Sequence, residues 1–518
     1  MNTSTYPISD WFYQKILLSP LGLDRENAII FWLLLLFASM LSGGLYYFDG
    51  NIPLVVGVIY LTFTLLLSLF RVDISLYLFM FTVLFFDQYP IPDFASFTHD
   101  VRFFNNIKEI SYVPFFEAAV VSPFEIHLAF ITLALFLHAS IKKKFSYKPV
   151  TVWAAFLFFF VVLVASFVNG LRGGGELLIA LWEVRALVYL CLMYVIVSQI
   201  IDTKKQIYTL FWIFIVAITF KALQGVERFI DLGFTTGGFA VLTNHEDPVF
   251  MVTLFIMFLG FIVFKTGEKQ RNWILIFSLV LLLGFYVAQR RATYASLMVS
   301  VAAFIVILPF IKQIRFMKYF LPLLIVLGMY GAAFWNASGS YARPVQMIKS
   351  GFVEPELETN FSDYSSNLYR NQENYNLAQT VVNNPVTGTG FGKRYDQPIP
   401  LVSIRYSLRD YIPHNQIYWV IVKMGAIGFF AFWFFFNCYV AKGTQIFYRL
   451  KDPYLKVITL VIVIAVINQM VVSFFDLQLT YYRSMIYLGC LMGLLPVINE
   501  LERAGRNTDI KPIGGSNE

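Results

Sequence analysis

Four stretches of a mostly apolar chain hold side chains able to do chemistry. The largest begins in a polar segment with Arg370, passes through the turn Asn384-Pro-Val-Thr-Gly388-Thr-Gly390-Phe-Gly392, collects Arg394, Arg405 and Arg409, and closes on Pro413-His414-Asn415. The second is Gln289-Arg290-Arg291-Ala-Thr, set between two apolar blocks with almost no loop. The third is Trp182-Glu183-Val-Arg185, inside an apolar block, and the fourth is Asn244-His245-Glu246-Asp247-Pro248, just before one. A guanidinium stays charged when desolvated, and its planar fork matches a pair of phosphate oxygens. An imidazole can orient a hydroxyl or take its proton. The chemistry within reach is therefore anion binding by arginine beside proton transfer by histidine.

The stretches differ in what they can support. An arginine pair at a membrane edge costs on the order of 2.5–3.5 kcal/mol per charge at a helix centre and less at the interface, so Arg290 and Arg291 call for a ligand or for headgroups. Glu183 and Arg185 stand two apart, do not face each other on a helix, and each needs a partner on another segment; ion pairing and ligand binding both fit Arg185. His414 follows the arginine-bearing loop and tops the next apolar block, where it can serve an attacking hydroxyl or merely hydrogen-bond at the interface. Consecutive residues rarely aim at one ion, so the stretch from Asn244 to Pro248 reads as a cap for the following helix with a contact to sugar hydroxyls rather than as a metal site. The glycines at 388 and 390 give a tight turn that lets backbone approach closely. No phosphate-cradling loop with its lysine, no histidine pair on one helix face and no serine-nucleophile motif is present, which removes the usual markers of nucleotide hydrolysis and proteolysis.

The elements that must position these residues are set by composition. Of 518 residues, 58% are hydrophobic and only 14% charged, more apolar surface than a water-soluble interior can hide. The apolar residues come in blocks of roughly 17–25, the length of a bilayer-crossing helix. About fourteen such spans can be placed, from Ile29–Phe48 to Ser484–Ile498. With the N-terminus inside, the basic clusters Lys142–Lys144 with Lys148, Lys204–Lys205, Lys265–Arg271, Lys312–Lys318 and Lys442–Lys456 all fall on the cytoplasmic side. The opposite side is then rich in arginine and poor in lysine, which suits a phosphorylated ligand better than a general attraction to lipid. Met1–Asn27 lacks the pattern of a cleavable signal and reads as a cytoplasmic lead-in. Cys191, Cys438 and Cys490 lie in apolar blocks, so no disulfide framework is expected. The expected organisation is a cytoplasmic segment 1–28, a membrane bundle 29–335, an external loop 336–413, membrane helices 414–498 and a cytoplasmic tail 499–518. Within the loop, residues 363–383 read as an amphipathic helix stopped by Asn383-Asn384-Pro385.

Taken in order, Gln289-Arg-Arg-Ala-Thr-Tyr, Arg370 in a helix, Asn384-Pro-Val-Thr-Gly-Thr-Gly-Phe-Gly392 and Pro413-His-Asn-Gln-Ile-Tyr-Trp resemble the O-antigen ligase and O-antigen polymerase superfamily over about Ala288 to Gly428. The N-terminal half shares only the hydrophobic layout. The resemblance implies an all-α polytopic membrane protein with a large periplasmic loop and GT-C-like architecture, in the bacterial inner membrane with its site facing the periplasm. It implies a metal-independent glycosyltransferase, without cofactor, that moves a glycan from undecaprenyl diphosphate to a sugar hydroxyl such as that of lipid A–core, and no dealings with nucleic acid. Arg370 with Arg290 or Arg291 would bind the diphosphate and His414 would assist the acceptor. Arg185, Arg394, Arg405, Arg409, Gly388, Gly390 and Asn415 are the further substrate-binding candidates. A polymerase of the same chemistry, a lipid-linked glycan flippase or exporter, and a structural assembly partner are the rival readings.

Overall fold

The computed structural model describes residues 25–47, 50, 52–91, 94, 97–107, 120–141, 148–235, 242–337, 339–350, 353, 361–402, 406 and 408–509. Arg405, the lead-in up to Asp24, the cluster Lys142–Lys144 and the last tail residues fall outside them. The described residues form helices and connections, with no strand. Hydrocarbon offers backbone groups no hydrogen-bond partner, and a helix satisfies its own. Nine of the helices are long and apolar enough to cross a bilayer, or ten if one bent pair counts as a single span. Four more apolar helices are shorter, within Leu34–Tyr47, Val55–Phe70, Val72–Phe85 and Arg291–Ile307. The expectation of about fourteen spans counted those short helices and the broken pair. The chain is a multi-pass, all-α membrane protein.

Two compact units share the chain: residues 1–148 with 199–217, and residues 149–198 with 218–518. The first holds α1 (Arg25–Tyr47), α2 (Ile52–Phe70), α3 (Val72–Phe85) and α4 (Pro123–Ile141). Its interior is tied by a polar chain in which the Ser68 and Ser75 hydroxyls meet at 2.8 Å, Ser75 reaches His127 Nε2 at 2.9 Å, and Tyr60 Oη reaches His127 Nδ1 at 2.8 Å. Among apolar helices such groups are satisfied only by one another.

The second unit carries the polar stretches. It contains α5 (Trp153–Arg172), most of α6 (Leu177–Ile200), the end of α7 (Lys204–Asp231), α8 (Asp247–Phe264), the pair α9 (Glu268–Ile276) and α10 (Ser278–Val287), α11 (Arg291–Ile307) and α12 (Phe310–Ala333). Then follow the short α13 (Arg343–Lys349), α14 (Phe361–Asn383), α15 (Gln416–Arg449), α16 (Pro453–Phe475) and α17 (Tyr482–Asp509). The block read as one span over 273–288 is broken at Phe277, where α9 and α10 meet at 56°. α16 is the central strut, packed against α8, α11, α15 and α17.

One end of this unit gathers lysine and arginine. There Lys312 donates to the Val263 carbonyl (3.2 Å), Tyr448 to that of Ile307 (2.8 Å), and the Lys456 ammonium lies over the Phe447 ring. The start of α8, the start of α11, the start of α15 and the finish of α16 meet at the other end, and the candidate site lies there.

The glycine turn serves this architecture. α15 is kinked at Gly425, whose φ of 64° lies in the left-handed region. The kink frees backbone groups that the turn then uses: Thr389 N–H donates to the Val422 carbonyl (2.8 Å), Gly390 N–H to that of Lys423 (3.0 Å), and Ala426 N–H to that of Pro385 (2.9 Å). Gly388, at φ 69°, lies so near that a Cβ would sit 2.6 Å from the backbone of α15. Gly390 is lodged against Gly170 of α5 in the same way. Beneath the turn, fully buried Glu183 accepts from Gly392 N–H (2.5 Å) and pairs with Lys423 Nζ at 2.8 Å. The partner that Glu183 needed is therefore Lys423, which also donates to the Lys393 carbonyl.

Candidate active site

α14 is the polar helix read over 363–383, and its first residue lies two positions earlier, at Phe361. It stops at Asn383 because Pro385 lacks an N–H and disfavours helical geometry in the residue before it. Asn367, Arg370, Asn371, Glu373 and Asn374 stand three, four and seven apart and form one face, which lines a cavity of about 500 Å³. Arg291, Ala292, Tyr294, Ala295 and Met298 of α11 face them, with Met347 and Ile348 of α13, His414 and Asn415 at the top of α15, and Phe474 and Phe475 of α16. The lining thus joins cationic and amide side chains to an apolar patch that includes Met298, Phe474 and Phe475.

Arg291 is braced on α14. Its Nη1 donates to Asn367 Oδ1 (2.8 Å) and Ser350 Oγ (3.4 Å), and its Nη2 to Ser366 Oγ (3.2 Å). Arg370 faces the same space. Burial disfavours its charge, Arg291 and Arg290 add repulsion, and Asp476 and Glu373 oppose both. A guanidinium remains protonated under such pressure, so the site holds concentrated positive charge.

His414 is fixed by a residue on that same face. Glu373, 1% exposed, accepts from the His414 backbone N–H (3.0 Å) and from its ring Nδ1 (3.2 Å). A carboxylate only accepts, so in the neutral imidazole the proton sits on Nδ1 and Nε2 keeps its lone pair. The edge of the Tyr369 ring packs on the imidazole, with centroids 5.5 Å apart. Asn415 Oδ1 accepts from Tyr418 N–H (3.1 Å) and caps α15, so this residue positions the histidine's own backbone.

The arginine pair diverges. Gln289 is left-handed (φ 51°), Arg290 is extended (φ −111°, ψ 112°), and Arg291 is the first helical residue. Arg291 therefore turns into the cavity, while Arg290 Nη2 donates to His245 Nε2. His245 Nδ1 in turn lies 3.0 Å from Asp476 Oδ2. Burial would raise the Asp476 carboxyl, but His245 and Arg290 outweigh it and hold the group well below the usual carboxylate range. Burial, and then the charge of Arg290, lower His245 below the ordinary histidine value and keep it neutral. The rest of its stretch is structural: Glu246 and Asp247 meet buried Arg483 at 3.9 and 2.8 Å.

The cavity wall therefore joins Arg291, Arg370, His414 and Asn415 and leaves the other described candidates elsewhere. Gly388 and Gly390 are packing positions, as above. Arg394 is exposed, donates to Tyr411 Oη (3.1 Å) and approaches Asp410 at 3.9 Å; Arg409 lies 3.5 Å from the same carboxylate. Arg185 is half-buried on α6. Sequence reasoning missed Glu373 and Asp476. Glu373 could have been found three residues after Arg370, on the same helix face; Asp476 has no local signal beyond ending an apolar span. Among the described residues no three His, Cys, Asp or Glu side chains converge as metal ligands.

Residues 276–433 match the family described as O-antigen ligase. That span begins in α9 and runs through the arginine pair, α14, the glycine turn and the first half of α15, and so contains Arg290, Arg291, Arg370, Glu373 and His414. The chain is O-antigen-ligase-like over this part. No curated protein matches it.

Proposed function

We propose that the protein is a membrane glycosyltransferase that moves a glycan from a polyprenyl diphosphate carrier to a sugar hydroxyl, in the manner of an O-antigen ligase. The observation that carries this reading is the sharing of one cavity by Arg291, Arg370 and a His414 held in a fixed tautomer by Glu373. Arg291 and Arg370 grip the diphosphate, and the apolar patch of Met298, Phe474 and Phe475 takes the start of the prenyl chain. The acceptor hydroxyl attacks the anomeric carbon. As the new C–O bond forms, the bond to the diphosphate breaks, its electron pair leaves with the phosphate, and the hydroxyl proton passes to His414 Nε2. A diphosphate is already a good leaving group, so positioning and charge neutralisation suffice. Proton transfer to a placed histidine contributes about 10²–10⁴-fold.

Basic residues at the far end of the unit support an outward-facing, periplasmic cavity in an inner membrane. Polar groups gathered at the opposite end favour an enzyme over an exporter, which needs a polar path through the spans. The test is transfer by purified full-length protein from undecaprenyl-diphosphate-linked oligosaccharide, with lipid A–core and a second carrier-linked repeat as separate acceptors. Product on lipid A–core marks a ligase, and lengthened carrier-linked chains mark a polymerase. Absence of transfer to either, under conditions where the donor binds, overturns the reading.

A further inference from the structure

Arg290 does not line the cavity wall, yet it is held in a definite way. Its Nη2 donates to His245 Nε2, so that nitrogen must present a lone pair. The proton of the neutral ring then sits on Nδ1 and is donated to Asp476, which is itself fixed by Leu477 N–H at 2.9 Å. Asp476 thus orients Arg290 without touching it. A direct Arg290–Asp476 pair would cancel the guanidinium charge in place, whereas an intervening neutral imidazole leaves that charge to act on its surroundings. Arg290 and Asp476 are both electrostatic neighbours of Arg370, and the buried Nε–H of Arg290 has no hydrogen-bond partner among the described residues. A phosphate oxygen is an acceptor that would suit it.

We propose that His245 is a positioning residue for diphosphate binding: through one fixed tautomer it sets Arg290 beside the cavity, and its protonation releases Arg290. The inference rests on the glycan-transfer reading given above. Nε2 cannot both carry a proton and accept from Arg290, so an imidazolium must break this contact. Three ionisable side chains act on the ring: Arg290 in front of α11, Asp476 after α16 and, more weakly, His414 before α15. The Tyr481 ring packs on it edge-on at 5.7 Å, and Gln478 Nε2 donates to its backbone carbonyl (3.3 Å). Burial and Arg290 resist protonation and outweigh Asp476, which favours it, so the release needs solution more acidic than the ordinary histidine value of about 6.5.

The experiment is binding of a short-chain prenyl diphosphosugar to the purified full-length protein from about pH 7.5 to pH 5.5. A diphosphate diester does not titrate in this range. Wild-type affinity should fall severalfold towards the acid end of the range, and His245→Gln should keep near-wild-type affinity at the upper pH and lose the fall, since its amide can accept from Arg290 and donate to Asp476 without titrating. His414 is present in both proteins, so the difference reports His245 alone. At pH 7.5, His245→Ala and Arg290→Ala should each weaken binding about 10- to 100-fold, and the double variant should be no weaker than either. A His245→Gln profile that follows the wild type, full affinity in His245→Ala, or losses that multiply in the double variant would each overturn the proposal. Probe binding without glycan transfer would remove the enzymatic reading and leave this one to be judged from binding. Transfer with unchanged binding in His245→Ala would remove this one alone. A wild type that does not bind the probe defeats it outright.

Discussion

Glu373 grips His414 twice, through the backbone N–H at 3.0 Å and through ring Nδ1 at 3.2 Å. One buried carboxylate therefore sets both where the imidazole stands and which nitrogen faces the substrate. Glu373→Gln preserves size and an acceptor oxygen, but its amide can donate to Nδ1 and favour the wrong tautomer. Turnover should fall on the order of 10²-fold or more, with donor KM little changed, because the loss is in proton transfer rather than in diphosphate binding. His414→Ala should cost about as much, and the double variant no more than that, since the two act as a unit. Steady-state kinetics with the lipid-linked donor reads this directly; independent, multiplying losses would argue against the pairing.

Arg291 and Arg370 should behave differently from that pair. Each presents a planar fork, and Arg291 also spends donors on Asn367, Ser350 and Ser366. Lysine can supply the charge but neither the fork nor the bracing. Arg291→Lys and Arg370→Lys should therefore each raise donor KM by about tenfold or more, most of the effect of the alanine variants. Recovery of wild-type KM by lysine would reduce both residues to a general positive potential.

The parts of this site that could be read from the sequence were those with local signals. Helical spacing and Pro385 marked α14, the glycines marked the turn, and an apolar block beginning after His414 marked α15. The glycines read as close-approach residues, and what lies against them is the kinked backbone at Gly425 and the backbone at Gly170. Residues 371–374 are all polar, so no local pattern singles out Glu373 as the partner of His414. The divergence of Arg290 from Arg291 depends on a left-handed Gln289, a conformation no pattern of residue types announces. His245 and Asp476 are far apart in the chain and meet only because α8 begins where α16 finishes. Arg394 and Arg409 drew notice as cations, and Asp410 lies beside both.

Stability should decline with acid in two stages set by these same residues. His245 has a folded value below its ordinary one of about 6.5, so the unfolded chain binds the proton first. Its contribution is present above about pH 6.5 and is lost as pH falls towards the folded value. Asp476 is also lowered, so its contribution holds above the unfolded carboxyl value of about 3.9 and is lost only below it. The thermal midpoint in detergent should therefore fall between about pH 7 and pH 5, and fall again below about pH 4. His245→Gln should flatten the first stage and weaken the second, since His245 is one of the two groups that hold the Asp476 carboxyl low. A first stage unchanged in that variant would assign it to other groups.

The Lys423–Glu183 pair gives the last prediction. Both side chains are fully buried, 2.8 Å apart, and Glu183 also holds Gly392 N–H, so this pair fastens the glycine turn to α6 and α15. Removing one partner leaves an uncompensated charge in an apolar interior. Lys423→Met or Glu183→Leu alone should cost about 3–5 kcal/mol. Replacing both, as Lys423→Met with Glu183→Leu, removes the desolvation cost together with the attraction and should recover most of that loss, because buried ion pairs exchange almost evenly for packed apolar groups. The turn would still lose its contact at Gly392, so some deficit should persist. Unfolding midpoints of the two single variants and the double variant in detergent form the cycle. A double variant as unstable as the sum of the singles would show that the charges act separately and that the turn is not held by their pairing.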